Sequence, residues 1–184
     1  SEYKVILKDW PIEIFTLKDL NIKTDPEEDG KTFEENAIKK AEYYSRLSDL
    51  PLIAEDSGLE IDYLKGEPGI HSRRWPGHKA TDEELVEMAL VKLKDIPEKN
   101  RGAQFRVVMA FKENKESKVI TAEGILRGRI TERIVGKIIP GFPFRSIFYI
   151  PEARKVLGEL NMDEEAKIAH RRIALKKLRK VIEN

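Results

Sequence analysis

Glu55 and Asp56 are adjacent carboxylates that follow the apolar run Leu52-Ile53-Ala54 and precede Ser57-Gly58. Two carboxylates at the end of an apolar strand are expensive to desolvate unless something cationic shares the site. A divalent metal is one such partner, and hard cations take oxygen ligands. The alternative is a solvated turn in which Asp56 and Ser57 hydrogen-bond nearby backbone. Leu59-Glu60-Ile61-Asp62 then alternates with period two. The spacing therefore predicts a buried strand, a tight acidic turn and a second, half-buried strand. Directly after them, Gly66 to Gly77 is a Gly/Pro-punctuated loop carrying His71, Arg73, Arg74 and Trp75. Acidic strand end, short strand and basic loop is an order suited to holding a metal-bound polyphosphate.

The run Ala54-Glu55-Asp56-Ser57-Gly58-Leu59, with Gly66-Glu67-Pro68-Gly69-Ile70-His71-Ser72-Arg73 after it, resembles the signature of the inosine/xanthosine triphosphate pyrophosphatases. The same family's Thr-Phe-x-Glu-Asn-Ala-x-x-Lys-Ala is matched by Thr32 to Ala41, which brings Lys40 to the position of a phosphate-contacting lysine. Without the resemblance, Lys40 is one of many solvated lysines. Glu28 falls where the family has a metal-binding glutamate. His170-Arg171 matches its Ser-His-Arg, whose His and Arg contact the base, although the serine is Ala169 here. A family lysine is replaced by Glu165, with Lys167, two residues on, as a substitute contact to the same phosphate. The family's Gly-Phe-Gly-Tyr-Asp-Pro-x-Phe becomes Gly141-Phe142-Pro143-Phe144-Arg145-Ser146-Ile147-Phe148. The aromatics are kept, and the aspartate is reversed in charge to Arg145. Phe142 and Phe144 as plain core residues are the bland alternative.

The resemblance covers Glu2 to Leu178 and implies an elongated α/β fold: a long mixed central sheet with helices around it and two lobes flanking a nucleotide cleft. It implies Mg2+-dependent hydrolysis of non-standard purine nucleoside triphosphates (ITP, dITP, XTP) to monophosphate and pyrophosphate, and a homodimer. In that scheme Asp56 is the general base, and Glu28, Asp56 and Glu55 hold metal. Lys40, Ser57, Arg73, Phe142, Phe144, Arg145, Lys167, His170 and Arg171 contact the substrate. A diverged paralogue with altered or weak nucleotide specificity is the rival, and Arg145 with Glu165 would be a compensating pair in it.

The elements that must position these residues start with Ser1 to Leu7, which reads as the end of a helix. The family has a first strand and a phosphate-gripping loop just before this helix. Both are missing from the 184 residues, so a single domain that natively starts earlier is expected. Ile12 to Leu17 alternates as a strand, and Asn21 to Lys31 is an acidic loop. Thr32 and Glu35 form a capping box for a helix from Phe33 to about Leu47. Thr81 and Glu84 form another, for a helix to about Lys94 that is assigned to packing and a dimer surface. Ala103 to Phe111 reads as a buried strand that pairs back with Lys118 to Ile125. Gly124 and Gly128 mark bulges or close backbone approach. A strand at Ile147 to Ile150 and one long helix from Met162 to Ile182 complete the chain. Ile168, Leu175, Leu178 and Ile182 form the expected buried stripe of that helix.

Composition excludes other classes. No cysteine is present, which removes disulfides, thiolate metal sites and cysteine nucleophiles. A net charge of +1 gives no footprint for nonspecific nucleic-acid binding. No long apolar run or signal peptide stands out, so a cytoplasmic protein without membrane attachment is expected. Charged residues make up 36% of the chain, interleaved by sign, as on a thermophile's surface.

Overall fold

A computed structural model describes residues 2–182. Helices α1 (Glu2–Ile6) and α2 (Phe33–Tyr44) precede strand β1 (Leu52–Ile61). Helix α3 (Asp82–Lys92), strands β2 (Gly102–Lys112) and β3 (Ile120–Ile130), and short strands β4 (Phe148–Ile150) and β5 (Lys155–Val156) follow. Helices α4 (Met162–Ile168) and α5 (His170–Ile182) close the chain. The sheet order is β1-β2-β3-β4-β5. A mixed sheet is implied by the resemblance; β3 pairs antiparallel with β4, Ile130 facing Phe148, and β4 antiparallel with β5.

The chain divides into two compact units. The first comprises residues 1–56, 107–124 and 166–184; the second comprises 57–106 and 125–165. In the first, Leu7, Val107, Met109, Ala174, Leu175 and Leu178 form a buried cluster, with Tyr3, Ile6 and Trp10 packed against it. In the second, Leu59, Ile61, Leu85, Val86, Leu93, Ile130, Ile147 and Phe148 are buried. The Phe105 and Phe148 rings there lie 4.7 Å apart.

Both capping threonines work as expected, with one difference. Thr81 and Glu84 make the full reciprocal box at α3. At α2, Thr32 Oγ1 accepts from Glu35 N at 3.1 Å, but the Glu35 carboxylate accepts from Lys31 N instead of Thr32 N. Gly124 and Gly128 are close approaches. A Cβ on Gly124 would stand 1.9 Å from His170 O, and one on Gly128 would stand 2.5 Å from Tyr149 O.

Several expectations are corrected. No turn divides residues 51–62, because β1 runs unbroken from Leu52 to Ile61. The Asp-Ser-Gly turn chemistry is overridden because Asp56 finds its partners from a helix. Ile12 to Leu17 is not a strand. Ile12 and Phe15 are exposed, and Thr16 and Asp19 close a local turn in which Thr16 N donates to Asp19 Oδ2 at 2.8 Å. The terminal helix is two helices, interrupted at Ala169, where the backbone of His170 approaches Gly124. Ile182 is exposed, and Ala174 takes its expected place in the buried stripe.

Candidate active site

In the first unit, α2 supplies two polar residues one helical turn apart, Asn36 and Lys40, on a single face. Lys40 Nζ lies 2.8 Å from Glu28 Oε1 and 2.9 Å from Asp56 Oδ1, and donates to Glu55 O at 3.1 Å. Asn36, almost fully buried, donates through Nδ2 to Asp56 Oδ2 at 3.0 Å. Its Oδ1 accepts from Gly30 N at 2.8 Å, which ties the acidic loop carrying Glu28 to the helix. Each oxygen of the Asp56 carboxylate thus has a donor, and this makes its burial tolerable.

The charges in this cluster pull against their surroundings. Burial pushes the Asp56 carboxyl above the usual carboxylate range, against hydrogen bonds from Lys40 and Asn36. Burial alone would lower the Lys40 ammonium. Its hydrogen bonds to Glu28 and Asp56 outweigh that and hold it above the ordinary lysine value. Lys40 is therefore a fixed positive charge beside a carboxylate with raised proton affinity, the pairing a general base beside an anionic substrate requires.

Glu55 points the other way, since successive side chains of a strand alternate in direction. Its carboxylate accepts from Arg171 Nε at 3.0 Å and Arg171 Nη2 at 2.7 Å. Tyr3 also donates its hydroxyl to Glu55 Oε2. His170 begins α5 and is buried, whereas Lys167 on α4 is exposed.

Glu28 and Asp56 offer oxygen atoms to the same ammonium. Among the described residues no group of three or more His, Asp or Glu side chains is arranged to hold a metal. Mg2+ is commonly held by one or two carboxylates together with water and substrate phosphates, so this donor set fits it.

The second unit carries the other expected contacts. Ser57 follows Asp56 in β1 and is half-buried. Arg73 lies in the last turn of a 3-10 segment, Gly69–Arg74, and pairs with Asp82 at the start of α3. Asp82 also accepts from Gly141 N at 2.7 Å, so one carboxylate holds the basic loop and the aromatic turn together. Gly141 has φ +84°, a conformation that favours glycine. Phe142 is half exposed, and the Arg145 guanidinium lies 5.6 Å from its ring centre. Phe144 is buried, edge-on to Trp75 at 6.3 Å. Arg145 pairs with Glu165, both nearly buried, while Arg145 Nε is buried without a partner.

Sequence reading missed Asn36 and Tyr3. Asn36 was visible as a polar residue on the apolar side of α2, four positions before Lys40; nothing in the sequence signals Tyr3.

Fold and side chains together define an α/β protein whose central acid is held between a lysine and an asparagine of one helix. Residues 1–181 match the family model described as the Ham1 family, and the chain belongs to that family. It is 41% identical over 97% of its length to a dITP/XTP pyrophosphatase of Clostridium perfringens, covering 89% of that protein. It is 40% identical over its full length to a dITP/XTP pyrophosphatase of Bacillus subtilis, covering 91% of it. Among solved structures, a HAM1 protein from Coxiella burnetii superposes with a TM-score of 0.84 at 35% identity, over 99% of this chain and 91% of that one. A nucleoside-triphosphatase / dITP/XTP pyrophosphatase from Mycobacterium abscessus gives 0.74 at 32% identity, over 96% and 91%.

Proposed function

We propose that this protein hydrolyses non-standard purine nucleoside triphosphates of the dITP/XTP type to the monophosphate and pyrophosphate. The observation that carries this reading is the Glu28–Lys40–Asp56 cluster, with Asn36 buttressing Asp56. Asp56 takes the proton of the attacking water. The new oxygen–phosphorus bond forms at the α-phosphate, and the bridge to the β-phosphate breaks with its electron pair leaving on pyrophosphate. Lys40 and Arg73 stabilise negative charge on the phosphates. Glu28 and Asp56 would hold Mg2+. When bound, that ion supplies charge neutralisation and alignment of the phosphates. His170 and Arg171 donate to the six-position oxygen of hypoxanthine or xanthine. An amino group there leaves a donor unpaired, which is the basis of discrimination against adenine. Phe142 and Phe144 border the base, Ser57 the phosphates, and Lys167 reaches a phosphate from α4. A homodimer and a cytoplasmic setting belong to the same proposal. No helix among the described residues is long and apolar enough to cross a membrane.

Purified protein incubated with dITP, ITP, XTP and the standard triphosphates, with and without Mg2+, tests this. Metal-dependent pyrophosphate release that favours the non-standard purines is expected. Asp56→Asn removes the base and lowers kcat by about 100-fold or more, with its circular dichroism spectrum unchanged. No pyrophosphate from any purine triphosphate would sink the proposal. A preference for some other nucleotide would favour the diverged-specificity reading, which the Arg145–Glu165 pair supports.

A further inference from the structure

Tyr3 on α1 carries no expected role, yet its hydroxyl donates to Glu55 Oε2. Its surroundings make this contact a fixed one. Burial, with the negative charge of Glu55 beside it, pushes the phenol well above its ordinary pKa, so it remains a donor at any working pH. Its ring packs against the buried cluster of Leu7, Val107 and Leu175.

The acceptor is shared. Glu55 Oε2 lies 3.0 Å from Arg171 Nε, and Oε1 lies 2.7 Å from Arg171 Nη2. Glutamate and arginine are both long and rotamer-rich, and fixing them together costs conformational entropy. A ring with two side-chain torsions, anchored in the core, removes much of the remaining freedom at low entropic cost. The result is a relay from α1 through β1 to α5: Tyr3 pins Glu55, and Glu55 pins Arg171.

We propose that Tyr3 is a positioning residue for purine recognition, acting through Glu55 to hold the Arg171 guanidinium in one orientation. This rests on Arg171 contacting the base, as proposed above. The relay lies on the opposite side of β1 from the Asp56 side chain, because adjacent strand residues alternate. It therefore governs binding and leaves the proton-accepting step alone.

Tyr3→Phe keeps the ring and deletes only the hydroxyl. The expected result is a rise of about tenfold in KM for dITP with kcat within about twofold of wild type. A residue that serves folding alone would lower the melting temperature and leave both constants unchanged; that outcome, or a loss confined to kcat, overturns the proposal. Calorimetric titration with deoxyinosine monophosphate reads recognition without turnover, and its Kd is expected to rise by about the same factor. If wild type releases no pyrophosphate but the two proteins still differ in this Kd, hydrolysis is wrong and the role of Tyr3 stands. Equal affinities, or no binding by either protein, overturn the role of Tyr3.

Discussion

The Lys40 ammonium stands 2.9 Å from Asp56 Oδ1, and the two groups answer burial in opposite senses. Burial raises the pKa of Asp56 in spite of Lys40; Asp56 and Glu28 raise that of Lys40 in spite of burial. A pH prediction follows from the carboxylate. An aspartate in an unfolded chain titrates near about 3.9. With the folded value above it, the folded state holds this proton over a window where the unfolded chain has lost it. The stability contributed by Asp56 is then fully present below the unfolded value and is lost as pH rises through the folded one. Denaturant melts without divalent ion should show Asp56→Asn gaining on wild type as pH climbs through that window. A constant difference between the two proteins would show that burial does not raise the Asp56 pKa. The base role proposed for Asp56 requires its ionised form, so the acidic limb of kcat/KM is expected to lie above the ordinary carboxylate value.

The Arg145–Glu165 pair gives a charge-exchange prediction. Both side chains are nearly buried, at 17% and 14% exposure, so reversing one leaves like charges facing each other. Arg145→Asp or Glu165→Lys alone is expected to cost about 3 kcal/mol in a urea melt, in the range for breaking a buried pair. The double variant restores opposite charges in exchanged positions and should recover most of that loss. If the singles and the double melt alike, the pair has no energetic role. The ratio of activity on dITP to that on XTP is the companion measurement, because Arg145 also lies over the half-exposed Phe142 ring.

How far the sequence disclosed this site depends on whether a residue's partner is local. Thr32 as a cap and Lys40 on the following helix were readable, since capping and helical spacing are short-range properties. The acid pair was readable as a pair, but its setting was not. Asp-Ser-Gly is turn chemistry, but Asp56 takes a donor from α2 and the backbone runs on as β1 beside β2. Tyr3 is 52 residues from Glu55, and Arg171 is 116 residues from it, so no window of sequence holds that relay. The exchange of charge at Arg145 and Glu165 was visible as two departures from a pattern. Reading them as a compensating pair put them together, and the structure shows the ion pair they form. Ile12 to Leu17 failed for the opposite reason: alternation was present, but no neighbouring strand takes it up.

Arg101 separates stability from chemistry. It is almost fully buried, and donates to the carbonyls of Ile130 at 2.9 Å, Leu93 at 2.7 Å and Thr131 at 2.7 Å. Burial lowers its pKa, and its hydrogen bonds to protein run to main-chain oxygens. Arg101→Met is close in length but removes the guanidinium donors of these carbonyls, of which Leu93 O keeps Ile96 N at 3.1 Å, and should cost about 3 kcal/mol. Nothing in this contact set touches the residues proposed for turnover. Below the lowered melting temperature, kcat and KM should therefore match wild type, and a changed KM would show that Arg101 has a role beyond the scaffold.

Gly124 is where the sheet governs the position of Arg171. A Cβ at this site would meet His170 O at 1.9 Å and Ala174 N at 2.8 Å. Both are backbone atoms of the first turns of α5, so no side chain can rotate away to make room. Gly124→Ala must either push the start of α5 off β3 or bend β3. The first option carries His170 and Arg171 with it, because they are the first residues of that helix. Arg171 would then lose its 2.7 Å contact with Glu55, and the Tyr3 relay would end on an arginine that has moved. The expected variant is folded, less stable by about 2 kcal/mol or more, and raised in KM for dITP. Thermal melts and steady-state kinetics on the same preparation check both parts. Gly128→Ala is the control, since its clash is with Tyr149 O and the Phe148 ring, away from α5. It should lose comparable stability with little change in KM. Equal KM effects from the two alanines would show that α5 placement is not what Gly124 protects.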